Sequence, residues 1–100
     1  YYLCGQVPFH PVTGEVVGNG MKEQAVQTLA NMKAVLEAAS LAVTDIAKTT
    51  VFVTNMDDFA AFNEVYAAFM GEHRPARVCV EVSNIAHGCL LEMDAICFKE

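Results

Sequence analysis

Tyr1 to Val7 is an apolar, aromatic run that stops at Pro8, and Pro11-Val-Thr-Gly14 is a turn signal ahead of Glu15-Val16-Val17. Extended residues on both sides of a turn predict a hairpin, which Gly18-Asn19-Gly20 then ends. From Met21 to Ala39 the apolar residues Ala25, Leu29, Met32, Leu36 and Ala39 recur at steps of four and three, with Lys22, Glu23, Gln27, Lys33 and Glu37 elsewhere. That period predicts an amphipathic helix. Asp45 to Val53 is rich in β-branched residues and predicts a strand, followed at Asn55–Asp58 by a turn with a helix N-cap. Phe59, Phe62, Tyr66 and Phe69 form a second helical stripe, expected to be core and closed by Gly71 as a C-cap with Pro75 a few residues beyond.

Two further strands complete the chain. Arg77-Val-Cys-Val-Glu-Val82 alternates, so Arg77, Cys79 and Glu81 share one face and Val78, Val80 and Val82 the other. The valine row is expected to meet the helices, leaving Arg77 on the opposite face. The run from Leu90 to Phe98 carries Glu92 and Asp94 on one face and Leu91, Met93, Ala95 and Cys97 on the other. The order strand, strand, helix, strand, helix, strand, strand predicts an α+β layer, with two helices on one face of a mixed sheet. With 100 residues and no linker, repeat or low-complexity segment, residues 1–100 form a single domain.

Composition narrows the partners. Hydrophobic residues make up 54% of the chain, above the usual share, so part of the apolar surface is expected to meet another subunit. No apolar run is long enough to span a membrane. The net charge is −6 and the six basic residues are scattered, which disfavours nucleic acid. Cys4, Cys79, Cys89 and Cys97 form no CxxC pair and lie in or beside apolar runs, which predicts reduced, buried thiols and a cytoplasmic location rather than disulfides or zinc. The opening YYLCGQV has no signal-peptide pattern and enters directly in strand-like sequence, so a preceding segment is expected.

Few residues offer chemistry. His10, His73 and His87 lack ligand spacing and are expected to be solvated loop histidines, and no dinucleotide, nucleotide, serine-hydrolase or zincin motif occurs. Arg77 is the only arginine in a predicted strand. A fixed guanidinium suits a planar carboxylate, whether that of a substrate or that of Glu81 or Glu92 in an ion pair. Glu92, in the neighbouring strand, is a candidate to hold and deprotonate a water, or else to neutralise Arg77. Cys79 as a nucleophile lacks a general base.

Pro75-Ala-Arg77-Val-Cys79-Val-Glu-Val82 resembles the RidA (YjgF) family of reactive-intermediate deaminases, and the likeness runs along nearly the whole chain. Cys4-Gly5-Gln6-Val7-Pro8 resembles the family's SGQ(I/V)P strand, and Thr13-Gly14-Glu15 its hairpin turn. Gln24 with Asn31-Met-Lys-Ala-Val-Leu-Glu-Ala-Ala39 resembles its first helix, Lys48-Thr-Thr-Val-Phe-Val53 its central strand, and Asp58-Phe59 with Asn63-Glu-Val-Tyr66 its second helix. The resemblance implies the chorismate-mutase-like α+β fold, assembled as a trimeric barrel with helices outside and clefts between subunits. It implies that Arg77 grips the substrate carboxylate and Glu92 positions the attacking water. Cys79 would contact substrate through its main chain, Asn63 would line the cleft, and Gly5 would lie in the strand that closes it. Cys4 stands where the family has a Ser, exchanging a hydroxyl for a weaker S–H donor and bearing on substrate range or rate. The family's leading strand, with a Tyr near the cleft, would precede Tyr1.

The implied activity is hydrolysis of 2-imino acids such as 2-iminobutanoate and 2-iminopropanoate to 2-oxo acids and ammonia, in a homotrimer and with no cofactor. Two other roles remain open. One is the translation-inhibiting endoribonuclease activity of some relatives, which fits poorly with the acidic charge. The other is a non-catalytic ligand-binding or chaperone-like module.

Overall fold

The computed structural model describes residues 1–100. Its regular elements run β1 (Tyr2–Gln6), α1 (Met21–Ala38), β2 (Ile46–Val53), α2 (Phe59–Met70), β3 (Ala76–Glu81) and β4 (Leu91–Cys97), with single 3-10 turns before β2, α2 and β4. The four strands lie in the order β1-β4-β2-β3. The β2–β3 pair is parallel, joined through α2, whereas β4 runs antiparallel to both β2 and β1. This is the predicted α+β layer, a mixed sheet with two helices.

The helices form where the period predicts. Met21, Ala25, Leu29, Met32 and Leu36 of α1 are buried, and they meet Phe62 and Met70 of α2 over Val51, Val53, Leu91 and Met93 of the sheet. Phe62 is fully enclosed, so truncation to Ala would cost about 3–5 kcal/mol in lost transfer energy and cavity. Asn55 Oδ1 accepts the Asp57 N–H at 2.9 Å and caps the turn leading into α2. Gly71 ends that helix at φ 63°, a left-handed conformation in which a side chain would be strained. No helix is long and apolar enough to cross a membrane.

The segment after β1 departs from the predicted hairpin. Glu15–Val17 forms no strand, and only the bridge Phe9↔Val16 links the two arms. β4 pairs along one edge of β1 and the other edge stays open, but Pro8 and Pro11 can donate no ladder hydrogen bond, so pairing of the two arms stops at that bridge. The loop is held by side chains instead. Asn31 of α1 donates to the carbonyls of Val7 and Phe9 at 2.9 and 2.8 Å, and Gln24 bridges the Gly18 carbonyl and the Leu90 N–H. His10 Nδ1 accepts N–H groups of the turn at 3.1 and 3.3 Å.

Three other expectations are corrected. Val78 and Val80 of β3 are 43% and 40% exposed and face away from the helices, so the valine row and Arg77 are exchanged between faces. Residue by residue, Thr49↔Arg77 and Val51↔Cys79 pair in the β2–β3 ladder, and buried Thr49 and Val51 put this phase on the helix side. The sequence alternation was correct but its phase was inverted, because the edge strand turns its valines outward. Cys89 and Cys97 are buried, but Cys79 is half-buried and Cys4 is exposed. His73 is not fully solvated either: it is half-buried, with Nε2 2.8 Å from the Ile46 carbonyl.

Candidate active site

Arg77 projects from edge strand β3 across one face of α2. Phe59, Asn63 and Tyr66 recur at steps of four and three, so the helix presents them together. The guanidinium carbon lies 5.2 Å from the Phe59 ring centre and 4.7 Å from that of Tyr66, and Nη1 donates to Asn63 Oδ1 at 2.8 Å. The rings attract the cation through their negative faces, and the amide oxygen fixes one of its donors.

No carboxylate neutralises this cation. The one ion pair in the structure joins Lys22 and Glu64 at 2.7 Å on the surface of the helices, where the lysine holds the Glu64 carboxyl below its ordinary range. Glu81, considered as a partner for Arg77, accepts the Met56 N–H at 2.7 Å instead. Arg77 is therefore half-buried and stacked, with charge and donors to spare: the receptor that a planar anion requires.

Cys79 follows two residues along β3 on the same face. Burial raises its thiol pKa, and the Arg77 guanidinium offsets part of that rise. A thiol held protonated is a poor nucleophile, and the structure puts no histidine against it.

Glu92 occupies a different place. On β4, Leu91, Met93, Ala95 and Cys97 point into the core, so Glu92 and Asp94 point to the helix-free face, as alternation predicts. Glu92 pairs with Phe52, and with Val82, Asn84, Ile85 and Ala86 these two line a concavity of about 290 Å³. Its carboxylate covers Gly5: a Cβ at that position would collide with Oε2 and lie 3.0 Å from Cδ. The fit arises from a bulge, since β1 advances from Leu3 to Gln6 while β4 advances only from Ala95 to Met93. Exposed Cys4 sits in the same bulge, where Gln6 Nε2 donates to its carbonyl at 3.2 Å and approaches Sγ at 3.3 Å.

The site residues thus form two groups. Arg77, Asn63 and Cys79 lie on the helix side at the β3 edge, whereas Glu92, Gly5 and Cys4 lie around the other end of the sheet, with Glu92 on the helix-free face. Standard strand spacing and rise put the Cα atoms of Arg77 and Glu92 roughly 14 Å apart, with the sheet between their side chains. Within one chain they cannot contact one small substrate. The sequence reading missed Phe59, Tyr66 and Thr49 as parts of the Arg77 environment, having assigned the aromatic stripe to the core alone. The available signal was the spacing of Phe59, Asn63 and Tyr66, which puts a polar amide on the same helical face as two aromatic rings.

Residues 1–99 match the family model described as Endoribonuclease L-PSP. The chain belongs to the L-PSP/RidA family. A RutC family protein of Pyrococcus horikoshii is 48% identical over 99 residues, covering 99% of this chain and 79% of the relative. The 2-iminobutanoate/2-iminopropanoate deaminase of Escherichia coli K12 is 48% identical over 98 residues, covering 95% and 76%. Among solved structures, Escherichia coli TdcF with bound serine superposes with a TM-score of 0.92 at 42% identity, covering 99% of this chain and 80% of the other. The fold is therefore that of L-PSP/RidA proteins, and family membership supports reactive-intermediate deaminase chemistry.

Proposed function

We propose that this L-PSP/RidA chain hydrolyses small 2-imino acids, of the 2-iminobutanoate and 2-iminopropanoate kind, in a site completed by a second copy of itself. The observation that carries the reading is Arg77, stacked on two rings and lacking any carboxylate partner. A substrate carboxylate supplies the missing anion, and each charge-assisted bond contributes about 1.5–3 kcal/mol.

The chemistry asks little more than placement. An imine carbon is already electrophilic. Glu92 takes a proton from water as the oxygen bonds to C2, the C=N pair moves to nitrogen, and the proton returns from Glu92 to that nitrogen, giving the carbinolamine. The carbinolamine hydroxyl proton follows the same route as the C–N bond breaks, and loss of ammonia forms the 2-oxo acid. Holding substrate and water in register is a proximity effect. Because Arg77 and Glu92 face opposite sides of one sheet, the pairing requires Glu92 of a neighbouring copy. Tyr2, Val78, Val80 and Ile96 leave an apolar helix-free face suited to such an assembly, read here as a homotrimer. The half-exposed thiol of Cys79 and the exposed thiol of Cys4 suit a reducing, cytoplasmic setting. A net charge of −6 weighs against RNA as substrate.

Replacing Arg77 with Ala is expected to abolish hydrolysis of 2-iminobutanoate generated in situ while circular dichroism and oligomeric state are retained. Unchanged turnover in that variant overturns the proposal.

A further inference from the structure

The support beneath Arg77 has a second layer. The Tyr66 hydroxyl is buried and shares a hydrogen bond of 2.8 Å with the hydroxyl of Thr49 on β2. Thr49 is itself fully buried and stands directly opposite Arg77 in the β2–β3 ladder. The connections form a closed circuit: Arg77 backbone to Thr49 by strand register, Thr49 to Tyr66 by hydroxyls, and the Tyr66 ring back to the Arg77 guanidinium at 4.7 Å.

We propose that Tyr66, pinned by Thr49, is a positioning residue that fixes the plane of the Arg77 guanidinium for a substrate carboxylate. The inference rests on the carboxylate-anchor reading above. Two constraints are needed to orient a planar fork. Asn63 Oδ1 fixes its rotation within the plane by accepting from Nη1, and the flanking rings fix the plane itself. Of those rings, Phe59 is half-buried and has no polar group to anchor it, whereas Tyr66 is held at its far end. Removing either hydroxyl releases the ring and leaves the other hydroxyl buried without a partner. A bidentate contact depends on orientation, so the tilt of the ring reaches the substrate through Arg77.

The test compares Tyr66→Phe, Thr49→Val, their double variant and Thr49→Ser on two substrates, 2-iminobutanoate and its uncharged amide, 2-iminobutanamide. Tyr66→Phe and Thr49→Val are each expected to raise KM for the imino acid about three- to tenfold, the scale of one hydrogen bond, with kcat within about twofold. The kcat/KM for the amide, which has no carboxylate to align and is expected to react more slowly from the outset, should fall by a smaller factor than that for the imino acid. Circular dichroism and the melting temperature report whether each variant is folded. The double variant should match either single variant, because both break one bond. Thr49→Ser, which retains the hydroxyl, should restore the KM. Equal losses on both substrates, additive effects in the double variant, or an unchanged KM in Tyr66→Phe overturn the positioning role. If Arg77→Ala still hydrolyses the imino acid, the anchor reading fails; if that variant is inactive while Tyr66→Phe keeps the original KM, only the positioning role fails.

Discussion

At the residue scale, the thiols behave as buried groups and should be visible in the pH dependence of stability. Burial raises the pKa of Cys79, Cys89 and Cys97 above the ordinary value of 9.0, with Glu92 adding to the rise at Cys89 and Asp45 at Cys97. In the unfolded chain these thiols lose their protons first, so above that value the folded state holds more protons than the unfolded one. Their contribution to stability is complete below pH 9.0 and is lost as pH rises through the higher folded values. The melting temperature should therefore fall as pH rises above 9.0, and Cys89→Ala with Cys97→Ala should flatten that slope even if it lowers the starting value. A slope identical to that of the parent protein would mean the thiols do not contribute. Arg77 shows what residue types could and could not convey. That a lone strand arginine calls for a carboxylate was legible, but whether that carboxylate belongs to a substrate or to Glu81 or Glu92 was left open by the residues, and the structure pairs neither acid with it. The face of Arg77 was not legible, because alternation specifies which residues share a side but not which side meets the helices.

At the element scale, the helices were the most legible part, since α1 and α2 each bury one face at helical period. The expected hairpin is reduced to one bridge where Pro8 and Pro11 interrupt the ladder, and β1 pairs instead with β4, Leu3 opposite Ala95, a pairing that no local turn signal announces. That long-range pairing also creates the bulge at Cys4 and Gly5 against which Glu92 lies. Gly5→Ala would push a methyl group into the Glu92 carboxylate while leaving the strand able to pair through Tyr2, Leu3 and Gln6. The expected outcome is a loss of kcat of roughly a hundredfold, the scale of misplacing a reacting group by about 1 Å, with the far-ultraviolet spectrum retained. Glu92→Asp in the same background shortens the side chain and should recover part of the rate. A Gly5→Ala variant with parental kcat would separate Glu92 from the chemistry.

At the scale of the whole molecule, the fold places its two candidate reactive ends where a single copy cannot use them together. Arg77 with Asn63 presents a cation on the helix side of the β3 edge, and Glu92 presents a carboxylate on the helix-free face two strands away. A site shared between copies makes a prediction that a site within one chain does not. Subunits carrying Arg77→Ala and subunits carrying Glu92→Gln should each be inactive when assembled alone. When the two are unfolded, mixed in equal amounts and refolded, some interfaces combine an intact Arg77 from one copy with an intact Glu92 from the next. For random cyclic assembly that pairing arises at about a quarter of the sites, so about a quarter of the parental turnover should return. Simple mixing of the folded proteins without subunit exchange should restore none. If refolded mixtures stay inactive while size-exclusion chromatography shows that they have co-assembled, Arg77 and Glu92 do not serve one site. In that case the opposed faces of the sheet would have to work on separate ligands.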